Sequence, residues 1–137
     1  MSHENVEIVK EVMDLLSRAG MNEAAAAALF DRFDPDVLID MTRRVINPDT
    51  YEGHAGLRRL GREVSEVWEE FLIEPEMLID AGDRVIVIET RRGRGKGSGV
   101  VVEQRSGVIW TIRDGRVVRL ETDLDPAEAL EAAGLSD

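Results

Sequence analysis

Val85-Ile86-Val87-Ile88-Glu89-Thr90 is a β-branched, apolar run; Gly93-Arg94-Gly95-Lys96-Gly97-Ser98-Gly99 interrupts it, and Val100-Val101-Val102 resumes the pattern through Trp110-Thr111-Ile112. Asp114-Gly115 follows, the dipeptide that two-residue hairpins favour because both central residues need positive φ, and Val117 to Leu124 comes after it. The stretch predicts three consecutive strands in an antiparallel meander. Such a sheet buries its apolar side only with helices laid against it, and the sequence before Val85 supplies them.

Val6, Val9, Met13 and Leu16 recur at three and four residues, which predicts a first helix capped by Ser2 and stopped near Arg18 and Gly20. Asn22 caps a second helix through Ala24 to Phe30, closed by Asp34-Pro35 because the residue before proline is pushed out of the helical region. Val37 to Met41 reads as a short strand, and Asn47-Pro48-Asp49 as turn chemistry. A third helix begins near Gly53-His54 and carries Leu57, Leu60, Val64, Trp68 and Phe71 on one stripe, with Pro75 preventing its extension. Glu76 to Ile79 is another strand, turned by Asp80-Ala81-Gly82-Asp83. Asp125-Pro126-Ala127-Glu128 places an acidic cap, a proline at the first helical position and a glutamate three residues after the cap, so a short terminal helix runs to Gly134. The expected order is helix, helix, strand, helix, four strands. That is an α+β fold with a curved, mainly antiparallel sheet, in a single domain over residues 1–137.

Charge and composition narrow the partners. A net charge of −11, from 28 acidic and 17 basic residues, argues against the basic field of a nucleic-acid binder. Arg91, Arg92, Arg94 and Lys96 are the local exception, readable as a charged hairpin edge or as an anion-binding patch. The absence of cysteine removes disulfides, thiolate chemistry and cysteine-ligated zinc, and two histidines leave little for a histidine-rich metal site; a carboxylate-only site for magnesium or calcium stays open, though no calcium-loop spacing is present. No run approaches a membrane-spanning length and Met1-Ser2-His3-Glu4 lacks a signal-peptide pattern, which predicts a cytoplasmic chain without a membrane partner. The alternating glycines at 93, 95, 97 and 99 lead into a strand, whereas a dinucleotide loop must open a helix.

The order of elements, together with Tyr51-Glu52-Gly53-His54-Ala55-Gly56, Ile79-Asp80-Ala81-Gly82-Asp83-Arg84-Val85 and Trp110-Thr111-Ile112-Arg113-Asp114-Gly115-Arg116-Val117-Val118, resembles the SnoaL-like polyketide cyclase and ketosteroid isomerase-like group of the NTF2-like superfamily. The resemblance implies a cone-shaped barrel whose sheet curls around three N-terminal helices and leaves a hydrophobic pocket, and a homodimer formed through the outer sheet face. It also implies a cofactor-free isomerase, cyclase, dehydratase or hydrolase acting on a hydrophobic cyclic metabolite, or a non-catalytic binding or assembly domain; fold does not choose among these. Ketosteroid isomerases use a tyrosine on the first helix and an acid on a late strand, where this chain has Met13, Leu16 and Val108. Epoxide-type hydrolases need an arginine flanked by two carboxylates, for which Arg92 and Asp40 supply two members.

Alternation then selects the candidates. Asp40 interrupts an apolar strand; an apolar cavity would raise its pKa toward neutrality and suit it to proton transfer, while the other strand face would leave it in water. His54, at a helix start, is the second catalytic candidate, or a residue that bonds the preceding loop. Tyr51, Trp68, Thr90, Arg92, Trp110 and Thr122 are the substrate-binding candidates, the tryptophans serving equally as core. This assignment takes Ile86 and Ile88 as facing inward, followed by Thr90 and Arg92. It also takes Val118, Leu120, Thr122 and Leu124 as one apolar face, with Arg119, Glu121 and Asp123 outward.

Overall fold

The Asp114-Gly115 hairpin forms with φ of 52° and 78° at its two central residues, as a two-residue turn between twisted strands requires. It joins β5 (Val101–Arg113) to β6 (Arg116–Leu124), and β5 pairs antiparallel with β4 (Arg84–Gly95) from Arg84↔Thr111 to Arg94↔Val101. These come from a computed structural model that describes residues 2–18, 23–44, 47–132 and 134. The remaining elements are α1 (Ser2–Arg18), α2 (Glu23–Asp31), β1 (Phe33–Met41), β2 (Asp49–Glu52), α3 (Gly53–Val67), β3 (Trp68–Ala81) and α4 (Pro126–Ala132). The sheet runs β2-β1-β6-β5-β4-β3, antiparallel throughout except for the parallel β1–β6 pair. The caps and stop expected at Ser2, Arg18, Gly20 and Asn22 concern side chains or residues outside the described set.

Three local expectations are corrected. Trp68 and Phe71 do not continue the α3 stripe; they begin β3, whose residues from Trp68 to Ala81 pair with β4. β3 is an edge strand, the place where a proline is tolerated, and the ladder shifts between Pro75 and Met77. β1 starts at Phe33, before Pro35, and absorbs that proline in an irregularity between Phe33 and Leu38. The turn region holds a short strand, β2. On α1 the buried residues are Val9, Val12 and Leu15, while Leu16 turns 38% of its surface to solvent.

Two apolar clusters cover opposite sides of the sheet, and this is what defeats a simple reading of β4. On the inner face, Val9, Val12 and Leu15 of α1, Leu29 of α2 and Leu57 of α3 pack with Val85, Val87, Val108, Trp110 and Ile112. On the outer face, Ala129 of α4 packs with Ile86, Ile88, Ile109 and Leu124. Each such residue is stabilised by about 1.5–3 kcal/mol on leaving water, so both faces of β4 became apolar and hydrophobicity no longer marked the inner one. Ile86 and Ile88 therefore face outward under α4, and Val85 and Val87 face inward. α4 itself begins as expected: Asp125 Oδ1 accepts the Ala127 amide at 2.9 Å.

The last strand departs from alternation as well. Val117 and Leu120 both belong to the inner cluster, and the β5–β6 register shifts between Thr111 and Ile112 and again between Gly107 and Ile109. Asp123 sits at φ 62°, a conformation that costs a non-glycine residue about 1–2 kcal/mol. The bulge redirects the strand end: Leu124 joins the outer cluster, and the Asp123 carboxylate is brought to the inner side.

Candidate active site

The inner face of β4 follows from the alternation set by Val85 and Val87: Glu89, Arg91 and Gly93 come next on the same side. Arg91 Nε lies 2.6 Å from Glu89 Oε2, and Arg91 NH1 lies 3.0 Å from Asp123 Oδ1, reached across β5 from the bulge in β6. Thr122 Oγ1 donates to Asp123 Oδ2 at 2.7 Å. The side chains are 2% exposed at Glu89, 6% at Asp123 and 16% at Arg91, so an arginine stands between two carboxylates that water barely reaches. Ser106, paired with Glu89 in the β4–β5 register, lies on the strand between the two acids and is fully buried.

One guanidinium among two acids leaves a surplus negative charge when both are ionised, and burial penalises that charge. Burial accordingly pushes the Glu89 carboxyl above the usual carboxylate range, Arg91 pulls it partly back, and Asp123 adds to the upward shift. The arrangement favours a proton on Glu89 beside a second carboxyl group that receives two donors, Arg91 and the Thr122 hydroxyl.

Beyond Arg91 the inner face turns apolar. The Trp68 ring lies against Gly93, where an added Cβ would come within 2.6 Å of it, and the Trp68 and Phe71 ring centroids are 6.1 Å apart. Phe71 and Val102 pair with Gly93 from either side and are 41% and 46% exposed. Trp68, Phe71 and Val102 thus form an apolar rim around Gly93, two residues along β4 from the arginine. Two broad depressions of about 450 and 550 Å³ lie elsewhere among the described residues, around the Asp114-Gly115 turn at the other end of β5, and charged side chains dominate their lining.

The other candidates are dispersed. Asp40 lies on the opposite side of β1 from buried Val37 and Ile39; it accepts from the Thr42 hydroxyl at 2.6 Å and amide at 2.9 Å, and Arg119 stands 3.7 Å away. The Thr42 hydrogen bonds hold its carboxyl below the usual range, which corrects the expected rise in an apolar cavity. His54 bonds the Phe33 carbonyl through Nε2 at 2.8 Å and its ring centroid is 5.5 Å from that of Phe30, so it ties the start of α3 to β1. Tyr51 is wholly buried; its hydroxyl donates to Glu63 and accepts from Arg44 at 3.0 Å, and Arg59 lies 4.1 Å over its ring. Thr90 and Arg92 face outward, reversing the expected register, and pair with Glu76 at 2.8 Å and Glu103 at 2.9 Å. Trp110 is in the inner core, and Thr122 alone of the candidates touches the acid–arginine cluster.

Glu89, Arg91 and Asp123 were missed. A Glu-x-Arg pair directly continuing the buried Val85–Ile88 run carried a signal: two residues apart, both charges must share one side of the strand. Nothing in the sequence announced that a bulge turns Asp123 toward them.

A six-stranded curved sheet with α1, α2 and α3 over one face and α4 over the other is an α+β protein of the NTF2-like fold, and the buried acid–arginine–acid cluster lies on the three-helix face. The chain belongs to the family of the SnoaL-like domain, whose model matches residues 14–120. Among solved structures it is similar to an NTF2-like protein of unknown function from Burkholderia pseudomallei, at 24% identity and TM-score 0.74 over 93% of this chain and 95% of that one. It is also similar to TerC co-crystallised with polyporic acid, at 25% identity and TM-score 0.70 over 96% and 98% of the two chains. A putative polyketide cyclase from Sinorhizobium meliloti matches at 24% identity and TM-score 0.65, over 89% and 98%. No curated protein sequence matches the chain.

Proposed function

We propose that this protein is an acid–base enzyme that adds water to a strained cyclic ether, an epoxide, carried on a small apolar ring. The observation that carries the reading is Arg91 gripping Glu89 at 2.6 Å and Asp123 at 3.0 Å on the helix-covered face. Epoxide-type hydrolases of this fold need an arginine flanked by two carboxylates, and the apolar rim of Trp68, Phe71 and Val102 suits a ring substrate. The co-crystallisation of TerC with polyporic acid is consistent with a ring ligand in a relative of this fold.

In this scheme a water molecule is held by the Asp123 carboxylate beside the epoxide carbon. Asp123 takes a proton from the water as the water oxygen forms its bond to carbon. The carbon–oxygen bond of the ring breaks as Glu89, whose carboxyl burial biases toward the protonated form, gives a proton to the departing oxygen. The product is a vicinal diol, with Asp123 now protonated and Glu89 ionised. Arg91, bonded to both, keeps a cation beside whichever acid is charged, and transfer of the proton back from Asp123 to Glu89 restores the start.

The test is incubation with cyclohexene oxide, styrene oxide and limonene oxide in ¹⁸O-labelled water, with the diol followed by mass spectrometry. Diol carrying one ¹⁸O, formed faster than in buffer, is expected. Absence of turnover across all three would remove the reading.

Beyond catalysis, we propose that a second copy of the chain covers the outer sheet face, where Leu72, Met77 and Val101 are 47%, 48% and 59% exposed. Sedimentation equilibrium should return twice the 15.3 kDa chain mass, reduced toward one chain by Met77→Glu. A single-chain mass for the unmodified protein at micromolar concentration would count against it.

A further inference from the structure

Among the described residues, two buried side-chain polar atoms have no hydrogen-bond partner, Ser106 Oγ and Trp110 Nε1. Both are on β5, four residues apart, and four residues along a strand return to the same side. That side is the inner face, since Val108 between them and Trp110 itself pack in the inner cluster. Buried polar groups are nearly always satisfied, and an orphan destabilises the fold unless a water or a ligand completes it. Packing does not explain the hydroxyl: alanine at this position would avoid the penalty and bury as well.

Its location does explain it. Ser106 is the β5 residue paired with Glu89, and β5 is the strand that separates β4 from β6, which carries Asp123. Neither carboxylate takes the Ser106 proton: Glu89 Oε2 receives Arg91 Nε, and Asp123 receives Arg91 NH1 and the Thr122 hydroxyl. We propose that Ser106 binds and positions the ligand, its hydroxyl donating to an oxygen of the bound molecule and holding that oxygen beside the acid–arginine cluster. This rests on the inner face being the ligand site and deepens the reading above. The site should therefore require an oxygen acceptor on the ring and not merely an apolar body.

Two near-isosteric rings test this, cyclohexanone with the acceptor and methylenecyclohexane without it. Binding of each is measured by calorimetry on the intact wild-type chain, on Ser106→Ala and on Ser106→Thr. The wild type is expected to prefer the ketone by roughly two- to ten-fold, the range of one net hydrogen bond. Ser106→Ala should erase that preference by weakening ketone binding alone, without lowering the thermal midpoint, and Ser106→Thr should restore it. A merely structural hydroxyl would shift the midpoint and leave the preference as it was, and that result overturns the proposal. Equal binding of the two rings by the wild type overturns it too. If neither ring binds, both the positioning role and the site assignment fall. If the preference holds and Ser106→Ala removes it while no epoxide is hydrolysed, the positioning role stands and the hydrolase reading falls.

Discussion

Arg91→Ala is expected to destabilise the fold by about 3–5 kcal/mol, the usual consequence of stripping the partner from a buried charge. Glu89 and Asp123, 2% and 6% exposed, would be left facing each other with no cation between them. The loss has a pH signature. With its cation gone, burial and the neighbouring Asp123 favour the protonated form of Glu89 still more, so its folded-state pKa rises further above the unfolded one. A raised carboxyl contributes stability that is fully present below the unfolded value, about 4, and is lost as pH rises through the folded value. The difference between wild type and variant should therefore be small near pH 4 and widen toward neutrality. Urea denaturation of both proteins across that interval reads it directly. A difference under about 1 kcal/mol at every pH would mean that the cluster is solvated. The same energetics argue that the cluster is not kept for stability, because apolar residues of similar volume often replace a buried ion pair at no loss.

Asp123→Asn is expected to lower kcat for epoxide opening by roughly 10²–10⁴-fold, the span of a positioned general base. Asparagine keeps an oxygen that can accept from Arg91 NH1, now 3.0 Å from Asp123 Oδ1, so the cluster retains part of its hydrogen bonding while the base is gone. The loss should fall on kcat with KM little moved, since the carboxylate acts on the water and not on the ring. A rise in KM with kcat unchanged would make Asp123 a binding residue.

How much of this was legible in the sequence depends on what each residue had to announce. The meander was readable because Asp114-Gly115 carries its own conformational demand and the valine and isoleucine runs on either side carry theirs. The start of α3 at Gly53 and the cap at Asp125 were local chemistry and were readable for that reason. The inner register of β4 was not, because α4 covers Ile86 and Ile88 on the far side and left both faces equally apolar. Everything that depended on that register followed it: Thr90 and Arg92 were assigned to the interior in place of Glu89 and Arg91. Asp40 drew attention for a sound reason, a carboxylate within an apolar strand, yet it lies on the side where Thr42 and Arg119 meet it. Asp123 was the hardest, since a single positive φ reverses its side and no neighbouring residue type demands that φ.

The central claim is that Glu89 and Asp123 form a buried pair of acids bridged by Arg91 on the inner face. The most direct measurement is the ¹³C chemical shift of the Glu89 carboxyl followed by NMR from pH 3 to 9, assigned by its loss in Glu89→Gln. A midpoint above the ordinary glutamate range, moving higher still in Arg91→Ala, is the result expected from burial opposed by the guanidinium. A midpoint in the ordinary range, unchanged by removal of Arg91, would place Glu89 in water and contradict the account.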